Sequence, residues 1–254
     1  MKRKLRIFLA NIGYRPRVYP NVTPPLGIMS LASYIRSRFS AEFCLVNQKL
    51  DNCSNDQLVR IVTDFNADIV GLSSMTSGAH NLPYITERIR AIMPKSLILV
   101  GGPHVSAVGE ESLAGNVADA AVPGEGELAF EQIVSHWLEG DGFEGVPGIF
   151  RREKDGTIVR NPGGFPPIKD LDSLPPPAYD LIDLPAYWKQ QSMPALPFRR
   201  YASIFSSRGC PYRCKYCHRI FGRTFRAHSA ERVVDEIEFL CKKYGISDFE
   251  FVRF

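Results

Sequence analysis

Three of the chain's six cysteines fall within eight residues, in Ser206-Ser207-Arg208-Gly209-Cys210-Pro211-Tyr212-Arg213-Cys214-Lys215-Tyr216-Cys217, spaced C-x3-C-x2-C. Three thiolates this close repel one another and need a cation to hold them together. Iron–sulfur cubanes are usually held by four cysteines; a loop that supplies three leaves one iron open to a small molecule. Arg208, Arg213, Lys215 and Arg219 surround the thiols, and neighbouring positive charge favours the ligating thiolate. Two other chemistries remain open. Zinc could take Cys210, Cys214, Cys217 and His218, although structural zinc usually draws on two separated pairs. Cys214 and Cys217 alone have the spacing of a thiol-redox pair, which gives Cys210 no role.

The elements around this loop set its place in a fold. Tyr201-Ala202-Ser203-Ile204-Phe205 reads as a strand, with Gly209 and Pro211 opening the turn after it. Ser229 caps a helix to Tyr244, with Glu231 in its first turn, Lys242 and Lys243 in its last, and Gly245 as its stop. Its inward stripe is Val233, Val234, Ile237, Leu240 and Cys241, and Phe249–Val252 is the next strand. Strand, cysteine loop, helix and strand open a (β/α) barrel, whose chemistry sits at the carboxyl ends of its strands.

C-x3-C-x2-C with Tyr216 just before its last cysteine resembles the signature of the radical S-adenosylmethionine enzymes. The resemblance implies that Cys210, Cys214 and Cys217 hold a 4Fe-4S cluster and that Tyr216 lies beside the adenine of S-adenosylmethionine. The open iron would chelate the amino and carboxylate groups of that molecule. One-electron reduction, from a flavodoxin- or ferredoxin-like partner, then gives a 5′-deoxyadenosyl radical. The family usually carries acidic residues at the end of the second strand, where this chain has Arg253-Phe254.

Ahead of this loop, strands and helices alternate. Strands are expected at Lys4–Ala10, Glu42–Val46, Ile69–Ser73, Leu97–Val100 and Ala118–Val122. Helices are expected at Leu26–Arg38, after a capping box at Ser54-Asn55-Asp56-Gln57, after Asn81, around Glu110–Ala114, and at Leu128–Leu138. The pattern predicts an α/β fold, a doubly wound, Rossmann-like parallel sheet, whose ligands bind beyond the carboxyl ends of the strands. The loops there are Asn11–Gly27, Ser73–His80, Gly101–Ser106 and Pro123–Glu127. None is a G-x-G-x-x-G or Walker loop.

In order and content these loops resemble the cobalamin-binding domain that precedes many radical S-adenosylmethionine cores. The resemblance places cobalamin against Pro25, Gly27, Ser73, Ser74, Met75, Thr76, Gly101, Gly102, His104, Gly124, Glu125 and Gly126. Many cobalamin domains carry a cobalt-ligating histidine in D-x-H-x-x-G after the first strand. The corresponding stretch here begins Asn11-Ile12-Gly13 and has no histidine, so no lower ligand is expected from it.

Composition bounds the rest. The net charge of +4 is mild, no run of Lys or Arg suggests a nucleic-acid arm, and Leu5–Ala10 is too short for a signal peptide or membrane span. A cytoplasmic protein is expected. Cys44 and Cys241 are expected in the core, and Cys53 in a polar turn without a partner. Glu153–Gly156 marks a hairpin, and the proline-dense stretch from Pro162 to Pro197 reads as a semi-rigid surface spacer. In it, Tyr187, Trp188 and Phe198 are expected to cover apolar surface. The expected domains are 1–145 for cobalamin, 146–199 as hairpin and linker, and 200–254 as the start of a barrel too short to be complete. The leading function is a cobalamin-dependent radical enzyme, or a fragment of one, acting on a small molecule, most often by methyl transfer to an unactivated carbon or phosphorus and otherwise by radical cyclisation or rearrangement. The alternatives are a non-catalytic cobalamin-binding module and a zinc-binding interaction protein.

Overall fold

Leu5–Ile12 is almost continuously apolar, as a strand covered on both faces must be, and it is an interior strand of the larger sheet, one in from the edge. The computed structural model describes residues 3–14, 21–193, 197–215, 217–218 and 220–253. β1 (Leu5–Ile12) pairs in parallel with β2 (Ala41–Asn47) on one side and β3 (Ile69–Ser74) on the other. β4 (Leu97–Gly101) and β5 (Ala120–Val122) follow in parallel. The order β2-β1-β3-β4-β5 reverses at β1, and that switch point opens a crevice at the carboxyl edge.

Helices cover both faces. α1 (Leu26–Arg36) and α6 (Glu127–Glu139) bury Ile28, Ala32, Ile35, Phe130 and Ile133 against one side. After a single turn, α2 (Gln48–Asp51), the other side receives α3 (Asn55–Phe65), α4 (Leu82–Ile92) and α5 (Pro103–Val108). The capping box forms: Ser54 accepts from Gln57 N–H, and Gln57 reaches back to Ser54 N–H. Asn81 precedes α4, but its side chain makes no cap. It donates to Gly78 O and accepts from Asn55, tying two loops together. Ile92, expected on the buried stripe of α4, is 53% exposed.

The helix expected near Glu110–Ala114 lies earlier. Pro103 presets the first turn of α5, Gly109 at φ +61° ends it, and only a 3-10 turn follows at Gly109–Leu113. The hairpin β6 (Phe150–Arg152) and β7 (Ile158–Arg160) extends the same sheet, antiparallel to β5. Arg152 fastens it by donating to Leu113 O, Asn116 O and Ala118 O.

The proline-dense segment is not a surface spacer. Leu171, Leu174 and Ala178 enter the core beside α1 and α6, and Tyr179 and Tyr187 are each 1% exposed. Its 3-10 turns and α7 (Leu184–Trp188) wedge between the large sheet and a second one. Phe198, by contrast, is exposed and covers nothing. The second sheet has the order β10-β8-β9, from β8 (Tyr201–Arg208), β9 (Arg226–Ala227) and β10 (Asp248–Arg253). β8 and β10 run parallel, joined through α8 (Ala230–Tyr244), the expected opening of a barrel. Ser229 caps α8 and Gly245 ends it at φ +64°. Val234 and Cys241, expected inside, face solvent, while Glu236 and Leu240 are buried. Cys53 lies in the turn between α2 and α3, as expected, but its side chain is buried in the core, and Cys44 is half-buried. Burial first, and Asp51 second, push both thiols up, so they are packing residues rather than ready thiolates.

Tyr179 shows how the wedge is held. Its hydroxyl lies 2.8 Å from both Ser203 O and a Glu236 carboxylate oxygen. A phenol has one hydrogen, so the hydroxyl shares it between the two acceptors. Burial pushes the Glu236 carboxyl up, against the opposing pull of Tyr179 and Arg232. A raised folded pKa contributes stability below the unfolded value of about 4.3, and that contribution is lost as pH rises through the folded value. The unfolding free energy of the wild type minus that of Glu236→Gln should therefore fall as pH rises above about 4.3 and then level off. Urea titrations across this range would measure it, and a flat difference would contradict it.

Candidate functional site

Beyond the carboxyl edge of the large sheet lies an open cleft of about 450 Å³. One wall is the sheet edge: Asn11, Ser73, Met75, Gly101, Gly102 and the Gly124–Glu127 loop, with Pro25 and Gly27 at the start of α1. The opposite wall is the second sheet and the cysteine loop, through Ser203, Phe205, Ile220, Phe221 and Phe251. The glycines are needed where they stand. Gly102 has φ +87°, and a Cβ there would lie 2.4 Å from Ser73 Oγ and 3.2 Å from Ser74 N. A side chain would push the edge apart and fill the space a ligand must enter. Three expected contacts lie off this wall. Ser74 is fully buried, with its hydroxyl unpaired among the described residues. Thr76 and His104 meet each other at 3.4 Å on the exposed side, because His104 belongs to α5 rather than to a loop.

The cysteine loop leaves the end of β8 and returns at β9. Its neck is tight: Cys210 N–H donates to Gly222 O at 3.2 Å, and Gly209, at φ +84°, comes so near Thr224 that a Cβ would lie 2.1 Å from its carbonyl oxygen. Beyond the neck, Cys217 N–H donates to Cys214 O at 3.3 Å. Cys210 is half-buried, and Cys214 and Cys217 are exposed. Tyr216 and Arg219 lie outside the described residues. No group of three or more His, Cys, Asp or Glu side chains among the described residues is gathered as a single metal ion requires. Three free thiols stand on one loop at the carboxyl end of a barrel-type strand, a donor set that would suit an iron–sulfur cluster, and the later part of the same loop, His218, Ile220 and Phe221, lines the cleft.

Residues 17–134 match the B12 binding domain model. An uncharacterized methyltransferase of Pyrococcus horikoshii is 31% identical over 239 residues, spanning 93% of this chain and 50% of that protein. The anaerobic magnesium-protoporphyrin IX monomethyl ester cyclase of Rubrivivax gelatinosus is 28% identical over 232 residues, 89% of this chain and 40% of that protein. Among solved structures, the cobalamin-dependent S-adenosylmethionine radical enzyme OxsB, with aqua-cobalamin and S-adenosylmethionine bound, superposes with a TM-score of 0.76. That match has 21% identity and covers 98% of this chain and 34% of OxsB. Residues 17–134 therefore belong to the B12 binding domain family, and the whole chain is similar to proteins named as methyltransferases and cyclases and shares the fold of a cobalamin-dependent S-adenosylmethionine radical enzyme. It spans about half the length, or less, of the curated relatives it matches.

The arginine at the base of the loop is not placed as the cysteine motif suggested. Arg208 does not sit among the thiols. It is buried, and it reaches Glu127 at 2.7 Å and Glu125 at 3.4 Å. Burial opposes its charge, but the two carboxylates outweigh burial and raise its pKa. Glu125 also pairs with Arg226, so its carboxylate is engaged by the cysteine-loop neck. Arg213 and Lys215 remain exposed beside the thiols. Arg226, Glu127 and Glu250 were not foreseen as site residues. Glu250, in the middle of β10, faces the cleft and bonds Arg199 and Ser192. No helix among the described residues is long and apolar enough to cross a membrane.

Two glycines of the wall should respond oppositely to alanine. Gly102→Ala should lower the unfolding free energy by about 1–3 kcal/mol, the usual cost of a strained left-handed backbone. Gly27→Ala meets nothing within 4 Å inside α1 and should be neutral or stabilising by up to about 1 kcal/mol. Chemical denaturation of both variants checks this; equal effects would mean that the edge is not crowded as described.

Proposed function

We propose that this chain binds cobalamin in the cleft and a 4Fe-4S cluster with S-adenosylmethionine on the cysteine loop, and serves methyl transfer to an unactivated carbon or phosphorus of a small molecule. The observation that carries this reading is the single cleft with the glycine-rich sheet edge on one wall and the cysteine-bearing strand and loop on the other. The name of the Pyrococcus relative supports methyl transfer; the Rubrivivax cyclase stands for the other chemistry of the family.

Bound in these places, the cluster with S-adenosylmethionine supplies a one-electron route to a carbon radical, and cobalamin supplies a transferable methyl group. The chain's own residues hold and shield. Gly101, Gly102, Gly124 and Gly126 present bare backbone along which a flat macrocycle can lie. Leu9, Leu99, Val122, Phe130 and Phe205 make the interior apolar, which excludes water from a reactive intermediate. The end of β1 and the stretch after it offer Asn11 and no histidine, so they would supply no imidazole to hold cobalt. Cys210, Cys214 and Cys217 are the iron donors, and Tyr216 is assigned to the adenine. Arg213 and Lys215, exposed beside the thiols, suit the approach of an acidic one-electron donor such as a flavodoxin or ferredoxin.

Anaerobic reconstitution should load about four iron and four sulfide per chain, and hydroxocobalamin should change its visible spectrum on binding. Cys214→Ala or Cys217→Ala should abolish stable iron loading and leave the cobalamin spectrum as in the wild type. Stoichiometric zinc without iron would overturn the cluster assignment. Release of 5′-deoxyadenosine with S-adenosylmethionine and a strong reductant separates a catalytic chain from a cofactor-holding one.

A further inference from the structure

The register of β8 and β9 sets Arg208 directly opposite Arg226. These two residues stand at the points where the cysteine loop leaves the second sheet and returns to it. Like charges directly across an antiparallel pair destabilise it, and here both side chains are almost fully buried, at 4% and 6% exposure. The neck therefore cannot close on its own charges. Its counter-charges come from the large sheet, some eighty to a hundred residues earlier in sequence.

Glu127 takes Arg208 at 2.7 Å. Glu125 bridges both guanidinium groups, at 3.4 Å from Arg208 and 3.1 Å from Arg226, with a second, shorter contact to Arg226. Arg226 completes its shell by donating to Ile168 O of the proline-dense segment at 2.6 Å and to Phe221 O of the loop itself at 2.9 Å. Two positive and two negative groups are thus brought together away from water, and they balance. Both carboxylates belong to the Gly124–Glu127 stretch that walls the cleft. That stretch touches the cysteine loop through its backbone as well: a Cβ on Gly124 would lie 3.7 Å from Ile220 O.

We propose that Glu125 and Glu127 are positioning residues for the cysteine loop: their carboxylates neutralise the facing arginines and hold its neck shut, so that the wall of the cofactor cleft also fixes where the thiols stand. This rests on the reading of the cysteines as cluster ligands, and it moves Glu125 from a cobalamin contact to a clamp on the loop. Removing either carboxylate leaves a buried arginine facing another. The loop then opens at Cys210, the one thiol sheltered inside the neck, while Cys214 and Cys217 are already exposed.

The test uses the full chain without cofactors. Alkylation by iodoacetamide, resolved at each cysteine by mass spectrometry, should proceed about tenfold faster at Cys210 in Glu125→Gln and Glu127→Gln than in the wild type, as local opening becomes easier. Cys214 should change by less than about twofold, because it needs no opening to react. Glu125→Asp, which keeps the charge, should restore most of the protection. After reconstitution, the Gln variants should give an altered electron paramagnetic resonance spectrum of the reduced cluster, and the Asp variant one nearer the wild type. Far-UV circular dichroism establishes folding. If a Gln variant does not fold, Arg226→Lys carries the same expectation, since it keeps the charge but loses the two-pronged contact. An unchanged Cys210 rate in folded variants overturns the proposal. Failure of the wild type to take up iron would sink the cluster reading instead, while the alkylation rates still decide the clamp.

Discussion

The four buried charges Arg208, Arg226, Glu125 and Glu127 are the junction on which the two sheets depend. A unit pair at about 4 Å is worth roughly 4 kcal/mol at an effective dielectric of 20. Stripping water from each ion costs several kcal/mol, so the cluster adds little net stability. What it adds is geometry. Polar bonds also cross the junction, from Arg36 to Asp180, from Asn47 to the Tyr187 hydroxyl, from the Tyr201 hydroxyl to Val22 O and from Ala178 N–H to Met29 O. The apolar contacts beside them, from Leu26 and Met29 to Tyr179, Ile204 and Phe205, tolerate sliding. A guanidinium between two carboxylates does not, because any shift strands a charge in a place without water.

This arrangement explains which parts of the molecule could be read from sequence. The five parallel strands, the capping box at Ser54, the Ser229 cap and the Gly245 stop follow from local spacing and backbone preference. Each was legible to within a few residues. The cysteine loop and the glycine-rich edge were legible as a set, because their chemistry is written in adjacent positions. The charge cluster was not. Its partners are 81, 83 and 101 residues apart, and an arginine next to a cysteine motif looks like a thiolate stabiliser until its direction is known. The same gap hid the wedge. A stretch with three successive prolines and no periodicity reads as exposed, yet Tyr179 and Tyr187 are buried because they fill the space between two sheets. Helical spacing also misled in α8, where Val234, expected inward, faces solvent and Glu236 is buried, since the inward face meets a phenol as well as carbon.

The Gly124–Glu127 stretch shows how a short segment can face two ways. Its glycines place bare backbone against the cleft, and its glutamates reach the other sheet. The two carboxylates are not equivalent. Glu127 opens α6, where the first-turn N–H groups favour an anion, and one close guanidinium partner at 2.7 Å is enough. Glu125 lies ahead of the helix without that field, and it has two guanidinium partners and a weaker contact from Ile168 N–H at 3.4 Å. The count of partners follows the count of favourable backbone dipoles. Glycine at 124 and 126 is what lets both acids reach: a Cβ on Gly126 would press Leu31 at 3.1 Å, and Gly124 turns at φ +75°. The segment that walls the cleft is therefore the segment that meets the arginines, and a shift of either contact would move the other.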